Sequence, residues 1–169
     1  MSPPKILFIF GTRPEAIKLC PLVLHMRARH LEFHPKVCVT AQHRGLLDAM
    51  LARFGVEPDH DLNVMQPNQS LSELTARILS GLDAILRRET PDMLIVQGDT
   101  TTTFAAALAG FYHRVAVGHV EAGLRTGDLS QPFPEELNRV LSTRLSALHF
   151  APTQRARQNL LAEGVAPEH

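Results

Sequence analysis

Acidic residues stand just beyond short aliphatic runs in this sequence, and they do so repeatedly. Asp99 follows Met93-Leu94-Ile95-Val96-Gln97-Gly98, Glu121 follows the run from 115 to 120, and Glu135 opens Glu135-Glu136-Leu137-Asn138-Arg139. If those runs belong to one sheet, the three carboxylates share a rim, and carboxylates clustered beside a cation suit proton transfer on a phosphorylated substrate. The cation is at hand in Gly11-Thr12-Arg13-Pro14-Glu15. Its glycine permits a tight turn, a helix start presents free N–H groups, and Arg13 offers a bidentate fork to phosphate or carboxylate. Each residue also has a plainer use. Asp99 stands where a helix N-cap belongs, Glu121 is placed to pair with Arg125, acids at 135 and 136 complement a helix dipole, and Arg13 can sit beside an ordinary capped helix. His119, inside an apolar run, reads as a core histidine before it reads as a catalyst.

Two more loops are polar at the same kind of place. Thr40-Ala41-Gln42-His43-Arg44-Gly45 could hydrogen-bond a sugar or phosphate through Gln42, His43 and Arg44. Thr100 to Thr103 open a helix with poor formers, which points to hydroxyls kept near a ligand at some cost to local stability. Neither the dinucleotide fingerprint G-x-G-x-x-G nor the Walker loop G-x-x-x-x-G-K-[ST] occurs.

The elements that must carry these loops alternate in type. Residues 5–10, 36–40, 93–97, 115–120 and 147–150 form short aliphatic runs that read as buried strands. Helices are predicted over 14–30, 43–54, 70–89, 100–112, 134–146 and 152–163, with Pro14, Pro134 and Pro152 in first turns that tolerate proline. Pro21 is expected to kink or split the first helix near Lys18. Residues 55–68 are the one long irregular stretch. Such alternation requires right-handed crossovers and an α/β, Rossmann-like parallel sheet with helices on both faces, whose ligands bind beyond the carboxyl ends of the strands.

With 169 residues, 44% hydrophobic and 20% charged, the chain suits one globular domain. Basic and acidic residues balance at 17 each, so no excess charge argues for nucleic acid or an anionic membrane as partner. Cys20 and Cys38 lie in apolar surroundings without metal-ligand spacing, as buried thiols of a reducing cytoplasm would. The run from 6 to 10 is too brief for an export signal or a membrane span.

The runs FGTRPEAIKLCPLV, TAQHRGLLDAM, QGDTTTTFAAALA, VGHVEAGLRTGD and PFPEELNR resemble those of the non-hydrolysing UDP-N-acetylglucosamine 2-epimerases. The resemblance implies that residues 1–169 are the N-terminal Rossmann-like domain of a glycosyltransferase-B type fold, the UDP-binding C-terminal domain lying outside this sequence. It implies interconversion of UDP-GlcNAc and UDP-ManNAc, without metal or NAD, by a homodimer serving cell-surface polysaccharide synthesis. It further implies Asp99, Glu121 and Glu135 as catalytic carboxylates, Arg13 and Lys18 near the diphosphate, and Gln97 and Arg139 in the substrate site. Gln42, His43 and Gln69 match positions around a second, activating UDP-GlcNAc. Two alternatives stay open: a sugar transferase of the same fold, and a non-catalytic nucleotide-sugar binding module.

Overall fold

The run from Ile6 to Phe10 is apolar at every position and buried at every position. A strand with no polar face needs cover on both sides, and its alternating side chains supply two cores. In the computed structural model, which describes residues 2–41 and 44–169, this run is the centre of a six-stranded parallel sheet. The elements are β1 (Lys5–Phe10), α1 (Arg13–Ala28), β2 (His34–Val39), α2 (Arg44–Phe54), β3 (His60–Asp61), α3 (Leu71–Glu89), β4 (Met93–Gln97), α4 (Thr101–His113), β5 (Ala116–Val120), α5 (Glu135–Leu145), β6 (Leu148–Phe150) and α6 (Gln154–Ala162). Ile6, Phe8 and Phe10 pack with Leu19, Val23 and Leu47 of α1 and α2. Leu7 and Ile9 face the other way, into Ile78 and Leu82 of α3 and the alanines of α4.

Strand order is β3-β2-β1-β4-β5-β6. The chain winds outward from β1 to β3, then crosses back to β4 and winds outward in the other direction. The reversal falls between β1 and β4, which pair in parallel from Ile6↔Met93 to Phe8↔Ile95. In such sheets that switch point opens the ligand crevice, because adjacent connections leave on opposite faces. The loops holding Gly11 and Asp99 are therefore neighbours by topology.

The expected strands and helices all form, with ends shifted by a residue or two. Three expectations fail for identifiable reasons. Pro21 neither splits nor ends α1, which runs unbroken from Arg13 to Ala28. The residue whose carbonyl loses its partner, Ile17, is 47% exposed, while Ala16, Leu19, Cys20 and Val23 are buried, so packing of one face outweighs a bond lost on the other. The irregular stretch contains a two-residue edge strand, β3, paired Cys38↔His60 and Val39↔Asp61, too short to leave a period in the sequence. Pro134 is the N-cap of α5, and Pro152 precedes the cap Thr153 of α6, so only Pro14 sits inside a first turn.

Cys20 and Cys38 are free and buried, and burial pushes their thiols up to about 11 and about 12 respectively. Thiolate is scarce at such sites, and both act as small apolar residues.

Helix α6 docks on the loop after β5 through a close backbone approach at Gly123. A Cβ there would lie 2.3 Å from the carbonyl oxygen of Ala156, and its φ is +89°. Asn159 donates to the Gly123 carbonyl at 2.9 Å, and Arg125 clamps Glu163 from the same loop. Gly123→Ala therefore suffers both a left-handed backbone and an overpacked contact, together about 2–5 kcal/mol. Urea unfolding of the variant checks this; a loss under about 1 kcal/mol would mean that α6 yields freely.

Candidate functional site

Asp99 closes the turn that leaves β4. Gly98, at φ +74°, reverses the chain, and Thr100 then caps α4, its hydroxyl accepting from Thr103 N at 3.1 Å. The cap expected of Asp99 is thus supplied by its neighbour, and the Asp99 carboxylate is left to the cleft. Its backbone carbonyl accepts from Asn138 Nδ2 at 2.9 Å, and its Oδ2 lies 3.6 Å from Arg139. Burial is the main force holding the Asp99 pKa above the ordinary carboxylate value; the charges of Glu135 and Glu121 add to it, while Arg139 and Lys18 oppose it. Such tuning is what a proton-transferring carboxylate needs near neutral pH.

Glu121 lies in the left-handed region at φ +65°, held there by its N–H on Phe150 O at 3.0 Å. A side chain with a Cβ costs energy in that region, and such outliers gather at functional sites. One oxygen, Oε2, accepts from Lys18 Nζ at 2.5 Å and from the Gln97 amide. The pairing with Arg125 that the sequence allowed does not occur. Arg125 is held by Glu163 at 2.6 and 2.9 Å and by Thr143 at 2.8 Å, because α6 brings a carboxylate to it from a distant part of the chain.

The two acids of the α5 first turn divide their roles. Glu136 is buried and accepts from Thr126 N and Gly127 N at 2.9 and 3.0 Å, organising the preceding loop. Burial is the largest single influence and raises its pKa, but the Gly127 and Thr126 amides and the charge of Arg139 together hold it below the ordinary value. Glu135 is half-buried and its side chain makes no hydrogen bond or ion pair among the described residues; its charge is felt at Asp99. Arg139, expected to meet substrate, stands between Glu136 at 2.8 Å and Asp99 at 3.6 Å and is almost buried.

Gln97 is 2% exposed and its amide donates to Glu121. Arg13 is exposed and makes no hydrogen bond or ion pair among the described residues, which leaves its guanidinium available. Gln69 belongs to the β3 side of the sheet, where it accepts from Arg77 at 2.8 Å. Gln42 and His43 lie outside the described residues.

Three hydroxyls of the threonine run are engaged within the protein. Thr100 caps the helix, Thr102 meets Thr40 at 2.9 Å, and Thr103 donates to Gln97 O at 2.6 Å. Thr100 also donates to Glu15, a fully buried carboxylate whose role sequence reasoning missed. The available signal was the spacing Thr12 to Glu15, which marks a capping box.

His119 is wholly buried and its Nε2 donates to Gly98 O at 2.7 Å, bracing the turn before Asp99. Burial pushes its pKa down from 6.5 to about 4. Between those values the unfolded chain takes up a proton that the native one refuses, so stability is lost as pH falls from 6.5 towards 4. At 1.36 kcal/mol per pH unit the full loss is about 3 kcal/mol. Comparing wild type with His119→Gln at pH 7 and pH 4 isolates it: the stability difference between them moves in favour of the variant by most of that amount. An unchanged difference would mean that the imidazole titrates normally.

The family model for UDP-N-acetylglucosamine 2-epimerase matches residues 25–169. The Escherichia coli K12 UDP-N-acetylglucosamine 2-epimerase is 60% identical over 162 residues, covering 96% of this chain and 43% of its own length. The Yersinia pestis enzyme of the same name is 59% identical over 165 residues, again 43% of its length. The chain therefore spans less than half the length of these curated relatives. Among solved structures, the Neisseria meningitidis UDP-GlcNAc 2-epimerase bound to UDP-GlcNAc superposes with a TM-score of 0.93 at 52% identity, over 97% of this chain and 44% of that one. The Methanocaldococcus jannaschii UDP-GlcNAc 2-epimerase in complex with UDP-GlcNAc and UDP gives 0.89 at 36% identity, over 97% and 44%. Acinetobacter baumannii MurG, at 9% identity and a TM-score of 0.64, shares the fold alone.

Proposed function

The chain belongs to the UDP-N-acetylglucosamine 2-epimerase family, and from that premise we propose that it is the N-terminal, chemistry-bearing half of an isomerase interconverting UDP-GlcNAc and UDP-ManNAc. The observation that carries this reading is the rim where Asp99, its pKa raised, stands within the fields of Glu121 and Glu135 and beside Arg139. In the forward direction a carboxylate takes the proton from C2 of the sugar. The C–H pair becomes the C1–C2 double bond as the C1–O pair departs with UDP, leaving a 2-acetamidoglucal. Return of UDP to C1, with a proton delivered to the opposite face of C2, completes the inversion. The cycle is redox neutral and consumes no nicotinamide.

Asp99, Glu121 and Glu135 serve as the acids and bases of this cycle. Arg13, unpaired among the described residues and beside the N-terminus of α1, meets the departing diphosphate together with Lys18. Arg139 and Gln97 hold Asp99 and Glu121 at the edge of the sugar pocket. Gln42, His43 and Gln69 belong to a second UDP-GlcNAc position. The wider reading includes a C-terminal domain that completes the UDP site, a cytoplasmic setting suited to free buried thiols, and a product destined for surface polysaccharide. Exposed Phe111 and Tyr112 on α4, adjacent rings 6.3 Å apart, suit burial in a homodimer.

The test is isotopic. The chain is incubated with UDP-GlcNAc in D2O, with and without a separately supplied C-terminal domain of the E. coli relative, and deuterium at C2 is read by NMR. Incorporation accompanied by UDP-ManNAc is expected when both domains are present. Acceptor-dependent release of UDP with C2 unlabelled would replace the epimerase with a sugar transferase, and binding without either reaction would leave a non-catalytic module.

A further inference from the structure

Two glutamates in this chain occupy the same position at the start of a helix and do unequal work. Glu73 of α3 closes a capping box with Ser70 on the protein surface. Glu15 of α1 closes one with Thr12, yet is only 1% exposed. Capping alone does not require burial, and an ionised carboxylate withdrawn from water needs strong compensation. Among the described residues Glu15 forms no ion pair. Its compensation is three hydrogen bonds, Gly11 N at 2.9 Å and Thr12 N at 2.6 Å to Oε2 and Thr100 Oγ1 at 2.8 Å to Oε1, with Thr103 Oγ1 a longer contact at 3.4 Å from Oε1.

The bond to Oε1 is what the surface box lacks, since Glu73 accepts through Oε2 alone. Oε2 belongs to the loop after β1, which launches the helix bearing Arg13 and Lys18. Oε1 belongs to the loop after β4, where Thr100 directly follows Asp99 and Thr103 also holds the carbonyl of Gln97. One carboxylate thus spans the topological switch point. It ties the cations assigned to the leaving group to the carboxylate assigned to the proton. A fixed span matters there, because a displacement near 1 Å in reacting groups can cost a hundredfold in rate.

We propose that Glu15 is a positioning residue that sets the separation between the Arg13/Lys18 loop and the Asp99 turn, an inference that rests on the epimerase reading for its kinetic consequence. Reach, rather than charge, is then its essential property. Glu15→Asp keeps the charge but is one methylene short of bridging both loops. Glu15→Gln keeps the reach, and the threonine hydroxyls can reorient towards its amide.

Both variants are made in this chain and assayed for C2 exchange with the separately supplied C-terminal domain. Glu15→Asp is expected to lower kcat at least 30-fold with KM within threefold, at a temperature where circular dichroism shows it folded. Glu15→Gln retains at least a fifth of kcat, and Thr100→Ser, which keeps the hydroxyl, retains more than half. The proposal is overturned if Glu15→Asp retains kcat within twofold, or if the activities of all variants merely follow their melting temperatures. Amide hydrogen exchange on the chain alone decides the point independently of turnover. In Glu15→Asp the amides of Gly98, Thr103 and Phe104 are expected to exchange at least tenfold faster, with those of α3 unchanged. Equal protection would overturn the bridging role, whereas absent wild-type turnover with altered protection would overturn only the epimerase reading.

Discussion

Asp99→Asn is expected to lower C2 deuterium exchange by about 10²–10⁴-fold, the usual contribution of a positioned general acid or base, and to raise the melting temperature at pH 7. The two effects share one cause. Burial and the charges of Glu135 and Glu121 push the Asp99 pKa up, with Arg139 the largest opposing influence. In the unfolded chain the carboxylate ionises freely, so keeping it ionised in the native state near neutrality costs stability. The sign follows by linkage: the native state binds the proton more readily, and stability is gained as pH falls through the raised value. Asparagine removes the cost at pH 7, and its advantage shrinks in acid. The Arg139 side chain keeps Glu136, so the substitution leaves no orphaned cation. Exchange assays and thermal melts at pH 7 and pH 4 check both halves. A variant with exchange within tenfold of wild type would remove Asp99 from the proton path.

Glu121→Gly separates conformation from chemistry. A left-handed backbone costs a residue with a Cβ about 1–2 kcal/mol, and glycine relieves it. Against that stand the greater freedom of glycine in the unfolded chain, about 0.4–1 kcal/mol, and the loss of a part-exposed ion pair with Lys18, at most about 1 kcal/mol. The buried Gln97 amide also loses its acceptor, at a cost of about 1–3 kcal/mol, so a net loss of about 2 kcal/mol is expected while exchange, read where the variant is folded, falls by 10²-fold or more. Ordinary loop residues under strain improve when replaced by glycine. Retention of exchange by this variant would show that Glu121 merely shapes the turn.

Much of the architecture was legible because its causes are local. Aliphatic runs without a polar face, such as Ile6 to Phe10, can only be central strands, and strands alternating with helices can only close as a parallel sheet. Pro21 misled because propensity is local, whereas the burial of Leu19, Cys20 and Val23 that overrides it depends on the sheet. The two-residue β3 left no period to detect, since a strand so short is defined by its partner.

The site divides along the same line. The sequence alone determined which residue types stand in the loops beyond the strands, and hence the expectation that Asp99, Glu121 and Glu135 share a rim beside Arg13. Tertiary structure decided what each one does there. It gave the cap to Thr100 and freed Asp99, sent Arg125 to Glu163 and left Glu121 to Lys18, placed the Gln97 amide on Glu121, and buried Glu15 across the switch point. Hydrogen-bond partners and desolvation depend on residues brought together from up to 103 positions apart, as for Lys18 and Glu121. Only the folded chain holds that information, because charge and burial act through space rather than along the sequence.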